Sequence, residues 1–339
     1  MREIRIGIVG LGFGTAHAET IANIDGLRVA AVADNAPMAR GKKMSVADYA
    51  ASIGAAAYSD GVKMIEEADI DAVDLVVAPQ WREPLLVAAA KRKLPALMEK
   101  PMANNVAQAQ RFARIASEAG IALMMEYPMR FHPAMQRMKA LLYDGPLGKP
   151  LSVTAELQTT WNPQVGHWCW AQDVDGGAIT ECGCHLLDTV CFLCGRPTEV
   201  FAVGGNFKGH GKTVDSAALT IQFENGSHAL ANAGGLGSRA FNVPMCVKVY
   251  AENGEALVSG ANWVYHKVAW ALCGPNETLR EEALEGPPRW EILRQNMMAF
   301  ARVVRGEIAP PCTAEDGLVV QRLIAAMVKS IASGRSESL

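Results

Sequence analysis

The run Gly10-Leu11-Gly12-Phe13-Gly14-Thr15 follows a β-branched stretch, Ile4 to Val9, and opens an alanine-containing stretch of helical character. Glycines at such a junction have separate jobs. Gly10 permits a tight turn, and Gly12 lets the backbone come close to a pyrophosphate, whose charge then meets amides at the start of a helix. The order of strand, glycine turn and helix is what makes a short glycine pattern informative. Phe13, Gly14 and Thr15 complete the loop; Thr15 stands where a third small glycine is usual, an exchange expected to loosen the packing of helix on strand. Asp34 ends the second apolar run. There, roughly twenty residues on, a carboxylate accepts hydrogen bonds from the adenosine ribose hydroxyls and repels a 2′-phosphate. The pattern points to a dinucleotide, NAD in preference to NADP, with Arg40 as the neighbour that softens the preference.

Two further stretches carry groups able to move a proton. Glu99-Lys100-Pro101 closes the fourth apolar run, and Gly176-Gly177-Ala178-Ile179-Thr180-Glu181-Cys182-Gly183-Cys184-His185-Leu186-Leu187-Asp188 sets a histidine between two carboxylates. Lys100, at the carboxyl end of a parallel strand, is where open α/β sheets bind ligands. An ammonium there stabilises negative charge developing on a substrate oxygen. His185 has an unperturbed pKa of about 6.5 and suits the role of base toward a hydroxyl. Removing that proton while the carbon-bound hydrogen leaves as hydride to a nicotinamide is the oxidation of a secondary alcohol, in which the protein positions and polarises. The spacing leaves open which of Lys100 and His185 takes the proton. Glu181, before His185, and Asp188, after it on an expected helix, are placed to orient the imidazole or hold a substrate hydroxyl.

Together with the glycine loop, these stretches resemble the Gfo/Idh/MocA oxidoreductases, whose members carry an E-K-P motif and a later G-G-x-x-x-D-x-G-x-H-x-x-D motif. Arg130-Phe131-His132-Pro133, Gly145-Pro146-Leu147-Gly148 and Ala314-Glu315-Asp316-Gly317 extend the likeness nearly end to end. The resemblance implies an N-terminal Rossmann domain, and a C-terminal α+β domain whose open, mostly antiparallel sheet forms a homodimer or homotetramer interface. It implies that Lys100 and His185 face the nicotinamide, that Ala78, Pro79 and Glu99 join Lys100 around the cofactor, and that the substrate is a sugar, inositol or related polyol. There are two departures. Glu181 stands where Asp is usual, and Ala78-Pro79-Gln80-Trp81-Arg82-Glu83 replaces T-P-N-x-x-H, so that loop lacks its histidine.

The stretch Trp161-Asn162-Pro163-Gln164-Val165-Gly166-His167-Trp168-Cys169-Trp170 suits carbohydrate, with flat rings for C–H faces and Asn162, His167 and Trp168 lining the pocket. The alternative is that its tryptophans fill a core or a subunit interface. Arg130 is read as reaching a substrate hydroxyl or carboxylate, or else as half of a surface salt bridge. Two other functions compete: a redox-neutral, NAD-dependent cleavage of glycosides, and a non-catalytic NAD(P)-binding regulator, against which Lys100 and His185 both argue.

These groups need a scaffold, and 339 residues suffice for two cores. Short apolar runs at 4–9, 28–33, 73–77, 96–98 and 121–125 alternate with helical stretches, the signature of a doubly wound parallel sheet. Beyond Tyr127 longer strands are joined by Glu224-Asn225-Gly226 and Glu252-Asn253-Gly254, both hairpin signals. The expected domains are 1–125 and 126–339, with the C-terminal helix packing back on the first, and Thr313 and Asp316 having capping-box spacing. The net charge of −3 has no basic block, which excludes nucleic acid and anionic membranes as partners. With neither a signal peptide nor a span of about twenty apolar residues, the expected location is cytoplasmic. Eight cysteines then stay reduced; the crowded Cys182, Cys184, Cys191 and Cys194 fit no common zinc spacing and are read as small hydrophobes, so no metal is expected.

Overall fold

The β-branched and small residues of six short runs pack into one parallel sheet. Its strands are β1 (Ile4–Val9), β2 (Leu27–Ala33), β3 (Ala56–Tyr58), β4 (Ala72–Leu75), β5 (Ala96–Glu99) and β6 (Leu123–Glu126). They pair in the order β3-β2-β1-β4-β5-β6, every pair parallel. All four residues of β4, of β5 and of β6 are buried, as strands covered by helices on both faces must be. Helices α1 (Gly14–Ile21), α2 (Val46–Ser52), α3 (Gly61–Glu67), α4 (Arg82–Lys91) and α5 (Val106–Ala119) make the crossovers. The strand order reverses between β1 and β4, so the carboxyl ends of those two strands flank the switch point at which such sheets bind nucleotides. This computed structural model describes residues 2–39, 41–161, 163–211, 213–241, 244–275, 277–284 and 289–339; Arg40 and Asn162, expected at the cofactor and the substrate, lie outside them.

The chain divides into two units, the first comprising Met1–Ala103, Ala107–Tyr127 and Trp290–Leu318, the second Asn104–Val106, Pro128–Arg289 and Val319–Leu339. In the second unit, α6 (Pro133–Tyr143) precedes β7 (Pro150–Gln158), and α7 (Cys184–Cys194) precedes β8 (Pro197–Gly205). Then come β9 (Ser216–Phe223), β10 (His228–Gly234), β11 (Pro244–Ala251), β12 (Gly254–Ala261), β13 (Val264–Leu272) and β14 (Arg280–Ala283), and at the C-terminus β15 (Glu337–Ser338). They form one sheet in the order β14-β13-β12-β11-β7-β10-β9-β8-β15, antiparallel except for the β10–β7 pair. Both expected hairpins form. Gln222 partners His228 around the first turn, where Gly226 takes φ +84°, and Ala251 partners Gly254 around the second.

Helix α7 packs on β7 and β10, and α6 on β12 and β13. The sheet's side chains alternate accordingly. Val153, Ala155, Leu219, Ala229 and Val247 are buried, while Phe201, Val203, Leu230 and Tyr250 are exposed. The chain closes with α8 (Arg289–Val304) and α9 (Ala314–Ser333). Asp316 and Thr313 cap the start of α9 reciprocally, Thr313 N donating to Asp316 Oδ2 at 2.7 Å and Asp316 N to Thr313 Oγ1 at 3.1 Å. Among the described residues no helix is long and apolar enough to cross a membrane.

Two details differ from the sequence reading. β3 was not expected, because Ala56-Ala57-Tyr58 is too short and too exposed to show a pattern. β4 ends at Leu75 and β6 begins at Leu123, each two residues inside the expected run.

Candidate active site

After β1, Gly10 takes φ +97°, and a Cβ on it would lie 2.3 Å from the carbonyl oxygen of Val76. At Gly12 a Cβ would meet nothing within 4 Å, so the backbone there is open to a ligand. Gly14, not Thr15, does the close packing: its Cβ would press to 3.0 Å on Ile8 Cγ2. Thr15 is buried and its hydroxyl donates to Gly12 O at 3.1 Å, bracing the loop from within. The loosening expected from Thr15 does not occur, because the small-residue requirement falls one position earlier.

Phe13, at the N-cap of α1, makes no side-chain capping bond, which leaves amides of the first turn for an anion. Asp34 fastens the loop, its Oδ2 accepting from Leu11 N at 2.7 Å and its Oδ1 from Ala36 N at 2.9 Å. Each oxygen keeps a further lone pair for a ribose hydroxyl. An open cradle at Gly12, an uncapped helix and a carboxylate beside them fit a dinucleotide.

Glu99 and Lys100 leave the carboxyl end of β5, Glu99 buried and Lys100 half-buried. His17, on α1 and without exposed surface, lies nearby. Its Nδ1 meets Asp74 Oδ2 at 2.7 Å, and its Nε2 lies 3.3 Å from Glu126 Oε2 and 3.6 Å from Glu99 Oε1. Burial opposes an imidazolium here, but the acidic groups gathered around the ring, Glu126 and the hydrogen-bonded Asp74 foremost, outweigh it and hold the His17 pKa well above its ordinary value. Burial pushes Glu126 well above the carboxylate range, the pull of His17 notwithstanding. Glu99 shifts downward: burial opposes the shift, and the nearby His17 ring together with the charges of Lys100 and Arg82 overcomes it.

Among the described residues one group of metal-competent side chains converges, His17, Asp74 and Glu126, with ligand-type atoms within 4.8 Å of one another. The 2.7 Å hydrogen bond engaging Nδ1 gives it the form of an ion-pair network. The crowded Cys182, Cys184, Cys191 and Cys194 are buried thiols outside any disulfide.

The loop after β4 holds Ala78, half-buried, and Pro79, buried, whose carbonyl accepts from Gln108 Nε2 at 3.2 Å. Arg82 is a residue that the sequence reading passed over. Its guanidinium is buried, donating from Nε to Val77 O at 2.8 Å and from Nη1 to Met102 O at 3.2 Å and to Pro101 O. It thereby ties the turn after β4 to the turn that carries Lys100. The one signal for it was an arginine opening an otherwise apolar helix.

In the second unit, Ile179–Gly183 forms a single π-helical turn running into α7, a feature frequent at functional sites. It carries Glu181, half-buried; His185 follows on α7, 7% exposed, its ring edge-on to Trp263 at 5.1 Å. Asn262 and Trp263 take φ +54° and +72°, strained conformations for side-chain-bearing residues, in the turn that presents this indole. Asp188 is fully buried and paired with Arg130, itself 6% exposed, through Nη2 to Oδ1 at 2.7 Å. The pair is a salt bridge, but an interior one rather than the surface bridge envisaged.

Trp170 and Cys169 form a small core with Ala178, against which Trp161 and Trp168 pack half-buried. His167 caps the short turn at Trp168–Trp170 and lies edge-on to Trp161 at 5.2 Å, its pKa lowered by burial. Of the two readings of this aromatic stretch, local core describes Trp170; Trp168 and His167 keep partial exposure.

The first unit thus brings together Gly10, Gly12, Phe13, Gly14, Thr15, Asp34, Ala78, Pro79, Glu99 and Lys100, while Arg130, His167, Trp168, Glu181, His185 and Asp188 belong to the second.

Residues 4–127 match the profile described as oxidoreductase family, NAD-binding Rossmann fold, of GFO/IDH/MocA, and residues 135–256 match the GFO/IDH/MocA C-terminal domain. A myo-inositol 2-dehydrogenase of Thermotoga maritima is 27% identical over 231 residues, 66% of this chain and 66% of its own. A D-apiose dehydrogenase of Rhizobium rhizogenes is 24% identical over 231 residues, 68% of this chain and 65% of its own. The chain therefore aligns with about two thirds of the length of either relative. A crystal structure of an oxidoreductase from Agrobacterium radiobacter with NAD+, L-tartaric acid and magnesium superposes with a TM-score of 0.82 at 21% identity, covering 99% of this chain and 98% of that one, a likeness of fold.

Proposed function

From the premise that the chain belongs to the GFO/IDH/MocA oxidoreductase family and carries its NAD-binding Rossmann fold, we propose an NAD-dependent dehydrogenase or reductase of a sugar, inositol or related polyol. It transfers hydride between the nicotinamide and a secondary alcohol or ketone. The observation that supports this most directly is the space above Gly12, where a Cβ would meet nothing within 4 Å, at the mouth of the uncapped α1. NAD, when bound, supplies the hydride acceptor. The amides of Gly12 to Thr15 take the pyrophosphate, and Asp34 takes the ribose hydroxyls and disfavours a 2′-phosphate. Ala78, Pro79 and Glu99 border the cofactor.

Lys100 donates a hydrogen bond to the substrate oxygen and stabilises charge on it; His185 takes the hydroxyl proton, and Glu181 orients the imidazole or holds a neighbouring hydroxyl. Half-exposed His167 and Trp168 suit contact with a polyol. The inositol and apiose dehydrogenases among the relatives favour that substrate class. Exposed Phe201, Val203, Leu230 and Tyr250 on the nine-stranded sheet suit a homodimer or homotetramer interface, and eight cysteines outside any disulfide suit the reducing cytoplasm.

The test is a panel of inositols, aldoses and sugar acids incubated with NAD or NADP and followed by the absorbance of reduced nicotinamide. Lys100→Ala and His185→Ala are expected to keep NAD affinity and to lose kcat by on the order of 10³-fold. An unchanged kcat in either variant would reject its assignment.

A further inference from the structure

Ala261 and Val264 are register partners at the end of β12 and the start of β13, so Asn262-Trp263 alone makes the turn between these strands. Both residues take left-handed φ, +54° and +72°, as the central pair of a type I′ hairpin turn must. Such a turn favours glycine at its second position, because a Cβ is strained there. In the hairpin of β9 and β10 the left-handed position is indeed filled by Gly226, at φ +84°. Here the bulkiest side chain of all stands in glycine's place, and among the described residues it is the one aromatic with positive φ. Burial alone does not call for it: Trp263 keeps partial exposure, whereas Tyr265 and Trp270, further along β13, are buried. What the indole meets is His185. The ring centres lie 5.1 Å apart with their planes at 67°, so imidazole and indole stand as two walls of a corner. The turn is pinned in that place, Trp263 N donating to the Sδ of buried Met245 on β11 at 3.1 Å.

We propose that Trp263 is a specificity-determining residue: its indole is the platform on which the C–H face of a cyclic polyol rests while the hydroxyl to be oxidised points to His185. This rests on the reading of the site given above, with His185 as base and a polyol as substrate. An indole offers a rigid, flat apolar surface broad enough for a pyranose or inositol ring. A ring polyol presents its C–H bonds to that surface as one unit, whereas an open-chain alditol must first freeze its rotors to do so. A cyclic substrate is therefore preferred over an open chain bearing the same hydroxyls. The left-handed Trp263 is then backbone strain retained for binding, of the kind that gathers at ligand sites. Glycine would relieve the strain and remove the platform.

The experiment sets Trp263→Gly and Trp263→Phe beside the parent, all as full chains. Without ligand, Trp263→Gly is expected to unfold no more than about 4 °C below the parent, or above it, because the turn becomes Asn-Gly. A larger loss makes the indole a structural residue and overturns the proposal. The polyol panel is then widened by the open-chain alditols sorbitol and mannitol and followed with NAD. The parent is expected to favour its best ring substrate over either alditol by about tenfold or more in kcat/KM. For that ring, Trp263→Gly is expected to raise KM by about tenfold with kcat within about threefold, and Trp263→Phe to keep KM within about threefold. A parental KM in Trp263→Gly, a kcat lost as heavily as KM, or a parent that prefers the alditols overturns the proposal and leaves the polyol reading standing. A parent that turns over nothing on the widened panel brings down that reading, and the role of Trp263 with it.

Discussion

Arg130 clasps Asp188 in the interior of the second unit, Nε lying 3.1 and 3.0 Å from the two carboxylate oxygens and Nη2 2.7 Å from Oδ1. The fork joins the turn at Pro128–Phe131 to α7, the helix that carries His185. Breaking a buried pair from one side strands the other charge, at a cost of about 3–5 kcal/mol, whereas replacing both partners with apolar groups is far milder. Arg130→Met and Asp188→Asn are therefore each expected to lower thermal stability sharply, and Arg130→Met combined with Asp188→Leu to recover most of it. Thermal unfolding of the single and double variants measures this. Single variants that unfold like the parent, and differ only in substrate KM, would mean that the pair serves the ligand and not the fold.

The three loop glycines are expected to respond differently to alanine. Gly10→Ala forces a side chain into φ +97° and against Val76 O at 2.3 Å, and should be the most destabilising. Gly14→Ala meets Ile8 at 3.0 Å, and overpacking of that kind costs about 1–3 kcal/mol. Gly12→Ala meets no protein atom within 4 Å. Its stability should stay within about 0.5 kcal/mol of the parent, while its affinity for NAD falls by about tenfold or more, some 1.4 kcal/mol. Calorimetric binding and thermal unfolding run side by side separate the three; a stable Gly12→Ala that binds NAD as well as the parent would show that the phosphates lie elsewhere.

The elements that sequence periodicity announces are those buried on both faces or built on a local signal: β1, the two Asn-Gly hairpins, and the Thr313–Asp316 cap. What escaped it depends on residues distant in sequence. His17 looks like an ordinary polar position on an alanine-rich helix until the order β1-β4-β5-β6 brings Asp74, Glu99 and Glu126 around it. Arg82 acquires its role only because the turns after β4 and β5 lie within its reach. The shift of the close-packing glycine to Gly14 follows from which Cα faces Ile8, and a letter pattern does not encode that. Arg130 and Asp188 were legible as functional-looking residues because the resemblance marks them, but not as partners of each other.

Cofactor choice should turn on Asp34. Its two oxygens already accept from Leu11 N and Ala36 N, so Asp34→Asn can keep one of these bonds through its carbonyl while losing the charge that repels a 2′-phosphate. The expected result is weaker NAD binding, stronger NADP binding and a change in their ratio of about tenfold or more, some 1.4 kcal/mol. Dissociation constants for both dinucleotides measure it. A parent that already binds NADP as tightly as NAD would remove the role given to this carboxylate.

Acid sensitivity should come in part from His132. It is buried at the start of α6, where its Nδ1 accepts from Ala134 N at 3.1 Å, and burial, with the charge of His266 adding to it, lowers its pKa from 6.5 to about 4. A folded-state pKa below the unfolded one means that the unfolded chain binds the extra proton first. The stabilisation is therefore complete above about pH 6.5, declines as pH falls toward 4, and is spent below that. A drop of this width corresponds to about 3 kcal/mol as an upper bound. His167, also lowered by burial, contributes in the same direction. His132→Asn keeps a capping acceptor but no titrating ring, so its urea midpoint should fall less than the parent's between pH 7 and 4.5. Parallel declines in the two proteins would place the acid sensitivity elsewhere.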